Sequence, residues 1–285
     1  MSTIVFEEQP DLQHPTIVMA FSGWNDGGEA ASAAAEHLRI QWNAKRFAHL
    51  DPEEFFDFQV NRPTVTLVDG TTRNIRWPSI AFHAARAGDR DVVLFTGAEP
   101  NLRWKTFAGA VVDVAKHLGA ERLVTLGAFL ADVAHTRSVP IVGSASDRAE
   151  AERLHLAPSN YEGPTGIIGV THDVANRAGL ESVSFWAAVP HYIPVGENPK
   201  AALALVRRLA GYLAIEVDTA RLERTAEVWE ENVTEQIRDN EALSHYLDRL
   251  EEPDATEFAP EGGSGDEIAQ EIERFLQERS PGDDQ

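Results

Sequence analysis

The sequence predicts an α/β fold: a three-layer, mainly parallel sheet followed by C-terminal helices. Three observations carry this. Residues 16–38 (TIVMAFSGWNDGGEAASAAAEHL) read as strand, glycine-rich loop and helix, the unit that builds a site at a strand's C-terminal end. Residues 91–96 (DVVLFT) are almost continuously apolar, the pattern of a strand covered on both faces. Strands then alternate with helices over roughly 200 residues, which implies parallel strands joined by crossovers. The order of the strands is not readable from this pattern.

Taken in order, residues 3–6 read as an edge strand and 9–15 as a loop. Residues 17–21 are a buried strand. Asp26 suits the N-cap of a helix over 27–42, with Glu29 completing a capping box. Gly27 and Gly28 let the backbone approach closely, and Ala30, Ala31, Ala34 and Ala35 give the helix a small face for tight packing. Residues 45–50 form a strand, and 51–60 a loop or short helix anchored by Phe55, Phe56 and Phe58. Strands 64–68 and 73–77 flank Asp69-Gly70-Thr71-Thr72, a hairpin signal. Strand 91–96 ends in GAEPN. The helix over 102–118 places Phe107, Val111, Val114, Ala115 and Leu118 on one side, and Gly119 ends it. Strand 122–126, a loop at 127–132, strand 140–144 and a charged helix at 147–155 follow. A second glycine-rich loop, 159–166 (SNYEGPTG), leads into a helix at 167–178. Strand 182–189 closes at Pro190-His191-Tyr192. Asn198 and Pro199 start the next helix, which runs to 214.

From residue 218 the alternation stops. Leu222, Ala226, Trp229, Val233 and Ile237, then Leu243, Leu247 and Leu250, recur at steps of three and four, so one long or two short amphipathic helices pack on the main domain. Residues 253–265 (PDATEFAPEGGSG) read as a linker. Ser264 and Glu267 make a second capping box, and Ile268, Ile272, Phe275 and Leu276 form one stripe on a final helix, an interaction face. The expected organisation is a core domain at 1–217, a helical extension at 218–252, a linker at 253–265 and an acidic terminal helix and tail at 266–285.

A chain of 285 residues suits one large domain, or one plus an appendage. The absence of cysteine excludes disulfides and thiolate metal sites. No signal peptide is read at the N-terminus, and no apolar run reaches the ~20 residues of a membrane helix, so a cytoplasmic protein is expected. The formal net charge is −21, unevenly spread: residues 216–285 hold 22 acids and 6 bases, the rest 24 acids and 19 bases. That balance argues against nucleic acid as a partner, because phosphate contacts need clustered cations. It suits either a solvated surface or docking to a basic partner.

No metal spacing, Walker A run, dinucleotide fingerprint or G-x-S-x-G elbow is present. No cofactor or metal is expected. Polar clusters do follow successive apolar strands, and strand ends of such a sheet share one edge. A crevice is therefore expected from Ser22, Gly23, Trp24, Asn25, Asp26, Glu99, Asn101, Trp104, Asp132, Tyr161, Gly163, Thr165 and Gly166. Within it Glu99, Asp132, His135 and His191 are candidates for acid–base work, and Trp104 and Tyr161 for stacking on a ring. Residues 161–166 also offer an anion a helix N-terminus. The competing reading is that each polar group fixes its own loop, Asp26 as a cap and Glu99 and Asp132 as acceptors of backbone N–H groups.

SGWNDGGEAA (22–31), GAEPNLRW (97–104), GAFLADVAHTRSV (127–139), NYEGPTGIIGV (160–170) and SFWAAVPHYIPVGENPKAALAL (184–205) resemble the bacterial branch of the proteasome assembly chaperone 2 family, over about residues 1–250. The acidic tail is similar to that of actinobacterial members. The resemblance implies a phosphorylase/hydrolase-like α/β fold. It also implies action through protein contacts, since eukaryotic and some archaeal relatives are chaperones or factors of the 20S proteasome. Archaeal partners of this kind use a C-terminal hydrophobic-Tyr-any motif. This sequence ends Pro281-Gly282-Asp283-Asp284-Gln285 and departs from it. No agreed catalytic residues carry over. The expectation is a homo-oligomeric, chaperone-like interaction protein with proteasome-related partners, binding neither nucleic acid nor membrane. The alternative is a small-molecule-binding or hydrolase/phosphorylase-like enzyme using the crevice, which rests on fold analogy.

Overall fold

Strand β2 (Thr16–Ser22) lies in the middle of the sheet, and six of its seven residues are buried. Such a strand needs apolar side chains on both faces, which is what TIVMAFS supplies. Ile17, Met19 and Phe21 enter one core, Val18 and Ala20 the other. A computed structural model of the chain describes residues 4–68, 70–156, 163–193, 196–238 and 240–251.

Eight strands form the main sheet. In spatial order they are β1 (Ile4–Phe6), β3 (Lys45–Leu50), β6 (Ile80–Ala87), β7 (Arg90–Ala98), β2, β8 (Arg122–Ala131), β10 (Glu181–Pro190) and β9 (Ile141–Ala145). The four central strands β7, β2, β8 and β10 run parallel, and the flanking strands pair antiparallel. Helices α1 (Ala30–Gln41) and α6 (Pro199–Leu213) cover one face; α3 (Trp104–His117) and α5 (Ile167–Arg177) cover the other. This is the three-layer α/β arrangement. On the α1 side Ala30, Ala31, Ala34 and Ala35 are buried and bring the helix close to the sheet. On the α3 side the core is aromatic. Phe95 stacks on Phe82 with ring centroids 3.9 Å apart and meets Phe21 and Phe107 at 5.2 and 5.7 Å.

The short elements end as their residues dictate. Asp51 accepts the Glu53 N–H at the start of α2 (Pro52–Phe55), and Asp147 caps α4 (Arg148–Arg153). Asn198 accepts the Ala201 N–H at 2.9 Å, with Pro199 in the first turn of α6. A separate hairpin, β4 (Thr64–Val68) and β5 (Thr72–Arg76), forms its own two-stranded sheet with every described residue exposed. The periodicity after residue 218 resolves into two helices, α7 (Ala220–Arg238) and α8 (Glu241–Glu251). The linker at 253–265 and the stripe Ile268, Ile272, Phe275 and Leu276 lie outside the described residues.

Three local expectations are corrected. The helix expected from residue 27 begins at Ala30. A 3₁₀ turn over Gly27–Glu29 precedes it, with Gly28 and Glu29 at φ 59° and 51°. Gly28 lies against α6: its carbonyl accepts the Asn198 N–H at 2.7 Å, and a Cβ there would come within 2.9 Å of the Asn198 side chain. Residues 127–131, expected as loop, continue β8, because β10 pairs with it as far as Pro190↔Ala131. Gly127 is needed where the Trp186 ring crosses the strand, 2.5 Å from where a Cβ would sit. Strand β6 was not anticipated, since IAFHAARA holds only one β-branched residue. Its turn, Gly88-Asp89, is the hairpin signal that would have found it.

Phe95 joins both sides of the aromatic core. Phe95→Ala should therefore lower stability by about 3–5 kcal/mol, read as a shifted urea midpoint with little change in slope.

Candidate functional site

Because β2, β7, β8 and β10 are parallel, their C-terminal ends at Ser22, Ala98, Ala131 and Pro190 fall on one edge of the sheet. The polar loops leave from that edge, and they gather into two clusters.

The first forms around Glu99, just past β7. Its Oε1 accepts the Asn25 side-chain N–H at 2.7 Å and the Ile167 backbone N–H at 3.0 Å, and its Oε2 accepts the Trp24 N–H at 3.3 Å. The Glu99 N–H donates to the Ser22 carbonyl at 2.8 Å. Gly23, at φ 132°, lets the loop turn against this side chain. Gly166 sits where a Cβ would lie 2.2 Å from Asn25 Oδ1. Asn25 is itself buried, and its carbonyl accepts the Ala128 N–H at 2.9 Å. The N-terminus of α5, read from sequence as a place for an anion, thus receives the chain's own carboxylate. Helix dipole and free N–H groups both favour this.

Asp26 does cap α1, but from further back than a capping box reaches. Its Oδ1 accepts the Ala31 N–H at 2.6 Å, and its Oδ2 accepts the Ser32 hydroxyl at 2.5 Å. Glu29 takes no part in a box; the Asp26 N–H goes to the Gly23 carbonyl. Burial pushes the Asp26 carboxyl up from the ordinary value, and the bonds from Ser32 and Ala31 oppose the shift.

Other expected crevice residues are taken up by structural contacts of their own. Asn101 Oδ1 accepts the Asp57 N–H at 3.0 Å, and the Asn101 N–H donates to the Phe55 carbonyl, so this residue pins the segment around α2. The Trp104 indole donates to the Pro100 carbonyl at 2.6 Å. Ser22 Oγ lies 3.5 Å from the Gly97 carbonyl. Gly163 and Thr165 are exposed, and Tyr161 lies outside the described residues.

The second cluster gathers Asp132, His135 and His191 under α7 and α8. His135 is buried; its Nδ1 lies 3.0 Å from the Tyr192 hydroxyl and its Nε2 3.0 Å from Thr234 Oγ1. Lys200 donates to the His135 carbonyl at 2.6 Å and pairs with Glu230. Tyr246 donates to Asp132 at 2.5 Å, and His191 Nδ1 lies 3.1 Å from the same oxygen. Thr136 and Arg137 both bond Glu251. The rings of His191, Tyr192 and Tyr246 meet edge to face at 5.6–5.9 Å. Sequence reading missed Lys200, Glu230, Thr234 and Tyr246, which approach from helices far along the chain. Trp229, whose ring meets His135 at 6.4 Å, was read only as a packing residue. Burial holds His135 below the ordinary histidine range, with Lys200 acting in the same direction and Glu230 and Glu251 against it. Burial also raises the Tyr192 phenol to about 12.

Four parallel strands under two helical layers, with interlocked loops on the carboxyl edge and two closing helices, define the class: a three-layer α/β protein with C-terminal helices. The chain belongs to the PAC2 family, whose model matches residues 20–237. It is 45% identical to a proteasome-assembly chaperone homologue from Mycobacterium tuberculosis, with TM-score 0.76, covering 81% of this chain and 99% of the other. It is 44% identical to a PAC2 family protein from Streptomyces avermitilis, with TM-score 0.77 and coverages of 82% and 99%. The archaeal proteasome activator PbaB of Pyrococcus furiosus shares the fold at 20% identity, TM-score 0.68, with coverages of 82% and 97%. No curated protein matches the chain. Among the described residues no helix is long and apolar enough to cross a membrane.

Two outcomes are expected of this site. Asp26→Ala should cost about 0.5–2 kcal/mol in denaturant unfolding, because two N–H groups of α1 lose their acceptor. His135 binds a proton more weakly folded than unfolded, so its contribution to stability is full at neutral pH and falls as pH drops below ~6.5. His83 and His172, also held low by burial, act in the same sense, and Asp26 in the opposite one. Unfolding midpoints between pH 7.5 and 5.5 should fall, and His135→Gln should make the fall shallower.

Proposed function

We propose that this protein is a chaperone-like factor that works through protein contacts with proteasome-related partners, using the carboxyl edge of its sheet. One observation carries this reading. At that edge the polar groups are spent on holding loops, while large apolar side chains stand in solvent: Trp24 is 57% exposed, Leu130 61% and Leu102 47%. Exposed aromatic and aliphatic groups set on rigid, hydrogen-bonded loops are the makings of a contact surface. Kinship with a protein described as a proteasome-assembly chaperone homologue supports the choice of partner. The crevice residues Trp24, Asn25, Glu99 and Gly166 serve in this reading as the frame of that surface. Residues 218–252 serve as an extension fastened to it by the His135 and Asp132 contacts. Self-association of the chain belongs to the same reading, since a surface of this kind is also open to a second copy.

A catalytic use of the edge has less support. Glu99 already accepts three hydrogen bonds, and His135 is enclosed by Tyr192, Thr234 and Trp229. Asp132 and His191 approach each other, but Tyr246 occupies the shared oxygen.

The test is reconstitution. The purified chain is mixed with purified actinobacterial proteasome α and β subunits, and assembly is followed on native gels and by light scattering. Binding to an assembly intermediate is expected. Trp24→Ala combined with Leu130→Ala should weaken it by about tenfold or more, as for central apolar anchors. Binding that is absent, or unchanged in the double variant, would overturn the assignment.

A further inference from the structure

The β4–β5 hairpin has an unusual surface. Its register pairs Val65 with Ile75 and Leu67 with Arg73, so these residues share one face with Trp77 just beyond the strand. Val65 is 60% exposed, Leu67 63%, Ile75 56% and Trp77 48%. The other face carries Thr64, Thr66, Thr72, Asn74 and Arg76, with Val68 its one large apolar side chain. Trp77 meets the Phe58 ring at 4.8 Å, which leaves Val65, Leu67 and Ile75; a lone two-stranded hairpin is marginal in water, and an apolar face of this kind needs a cover. The hairpin is also basic. Arg62, Arg73 and Arg76 stand against one acid, Asp69, in a chain of net charge −21. None of the ion pairs among the described residues uses those arginines.

We propose that this face is the docking site of the chain's own C-terminal segment, residues 266–280, bound within the same molecule. The inference goes beyond the partner contacts proposed above and does not depend on them. Three arguments select this occupant. The first is chemistry. Ile268, Ile272, Phe275 and Leu276 recur at helical spacing among five acids, Asp266, Glu267, Glu271, Glu273 and Glu278, against two bases, Arg274 and Arg279, so an apolar stripe with net negative flanks meets an apolar face that carries Arg73, with Arg76 and Arg62 close by in sequence. The second is size. Ile268 to Leu276 spans ~12 Å along a helix, and Arg73 to Trp77 spans ~13 Å along a strand. The third is reach. Ile80, where the hairpin rejoins the sheet, pairs with Gly97 at the carboxyl edge. Glu251 is bonded to Thr136 and Arg137 just past β8, on that same edge. From β6 to β8 is three strand spacings, ~14 Å, and the fourteen residues 252–265 can span at most ~50 Å. A tether of that length gives the segment an effective concentration near the millimolar range, which favours its own hairpin over that of another copy.

Because the chain has no cysteine, the test can be made on the full-length protein. Leu67→Cys with Phe275→Cys is oxidised and compared with Asp89→Cys with Phe275→Cys, Asp89 lying in the β6–β7 turn on the opposite edge. The expected result is an intramolecular disulfide in the first pair and not in the second, forming more slowly as salt is raised. In parallel, full-length Ile272→Asp/Phe275→Asp should be cut by trypsin after Arg73 and Arg76 about tenfold faster than wild type, with an unchanged far-ultraviolet spectrum. Covalent dimers in place of the internal disulfide would give the face to a second copy and overturn the proposal. So would the absence of any specific disulfide together with unchanged trypsin rates. Neither readout involves a proteasome subunit, so failure here leaves the proposed function standing, and failure there leaves this contact standing.

Discussion

The Glu99 carboxylate is the point on which the carboxyl edge depends. It joins three segments that the fold brings together from far apart in sequence: the loop after β2 through Trp24 and Asn25, the end of β7 through its own backbone, and the first turn of α5 through Ile167. A carboxylate in such a place would be costly alone. Here two backbone N–H groups, the Asn25 side-chain amide and the N-terminus of α5 all point at its oxygens. Gly23 and Gly166 matter for the same reason. Both leave the space that lets Glu99 and Asn25 approach. The edge is consequently a hydrogen-bonded frame, and the exposed Trp24 is tied to it through its backbone N–H.

Much of the fold could be read from the sequence because burial on two faces leaves a simple signature. TIVMAFS and DVVLFT are apolar at nearly every position and prove to be neighbouring central strands. The Thr64–Val68 strand was found to the residue through its turn chemistry. Strand β6 was lost because alanine, histidine and arginine carry little strand preference, although Phe82 makes the closest ring stack in the aromatic core. The end of β8 was lost because Gly127 and its neighbours read as a turn, while the reason for the glycine, the Trp186 ring, lies on another strand. Strand order could not be read at all, since it depends on pairings between residues far apart in sequence, such as Phe21 with Gly97 and Glu181 with Arg122.

At the candidate site the same division holds. That Asp26 caps a helix was legible, because capping is local. That it reaches Ala31 and Ser32 rather than sharing a box with Glu29 was not, because α6 reshapes the Gly27–Glu29 turn through Asn198. Glu99, Asp132, His135 and His191 were singled out as one group of polar strand-end residues. The structure shares them between two clusters, since β2 and β8 separate the loop of Glu99 from the ground under α7 and α8. His135 shows why residue type alone is a weak guide to chemistry. Its perturbed titration comes from burial between Tyr192 and Thr234, which a purely structural histidine also undergoes.

The acidic extension raises a last physical question: how helices so rich in like charge stay attached to a core that is itself net negative. The contacts at the carboxyl edge supply an answer. Most of those that hold α7 and α8 there are neutral or charge-assisted hydrogen bonds from tyrosine, threonine and histidine, and Lys200–Glu230 is a half-buried ion pair. Alongside them, apolar packing through Ala226, Val233 and Ile237 buries the inner face of α7. Hydrogen bonds at short range are little weakened by the overall field, whereas long-range repulsion between exposed glutamates is screened within ~8 Å at physiological salt. The fastening is therefore local and the repulsion diffuse. This lets the outer faces of these helices carry Glu227, Glu231 and Glu235 into solvent without loosening the frame beneath them.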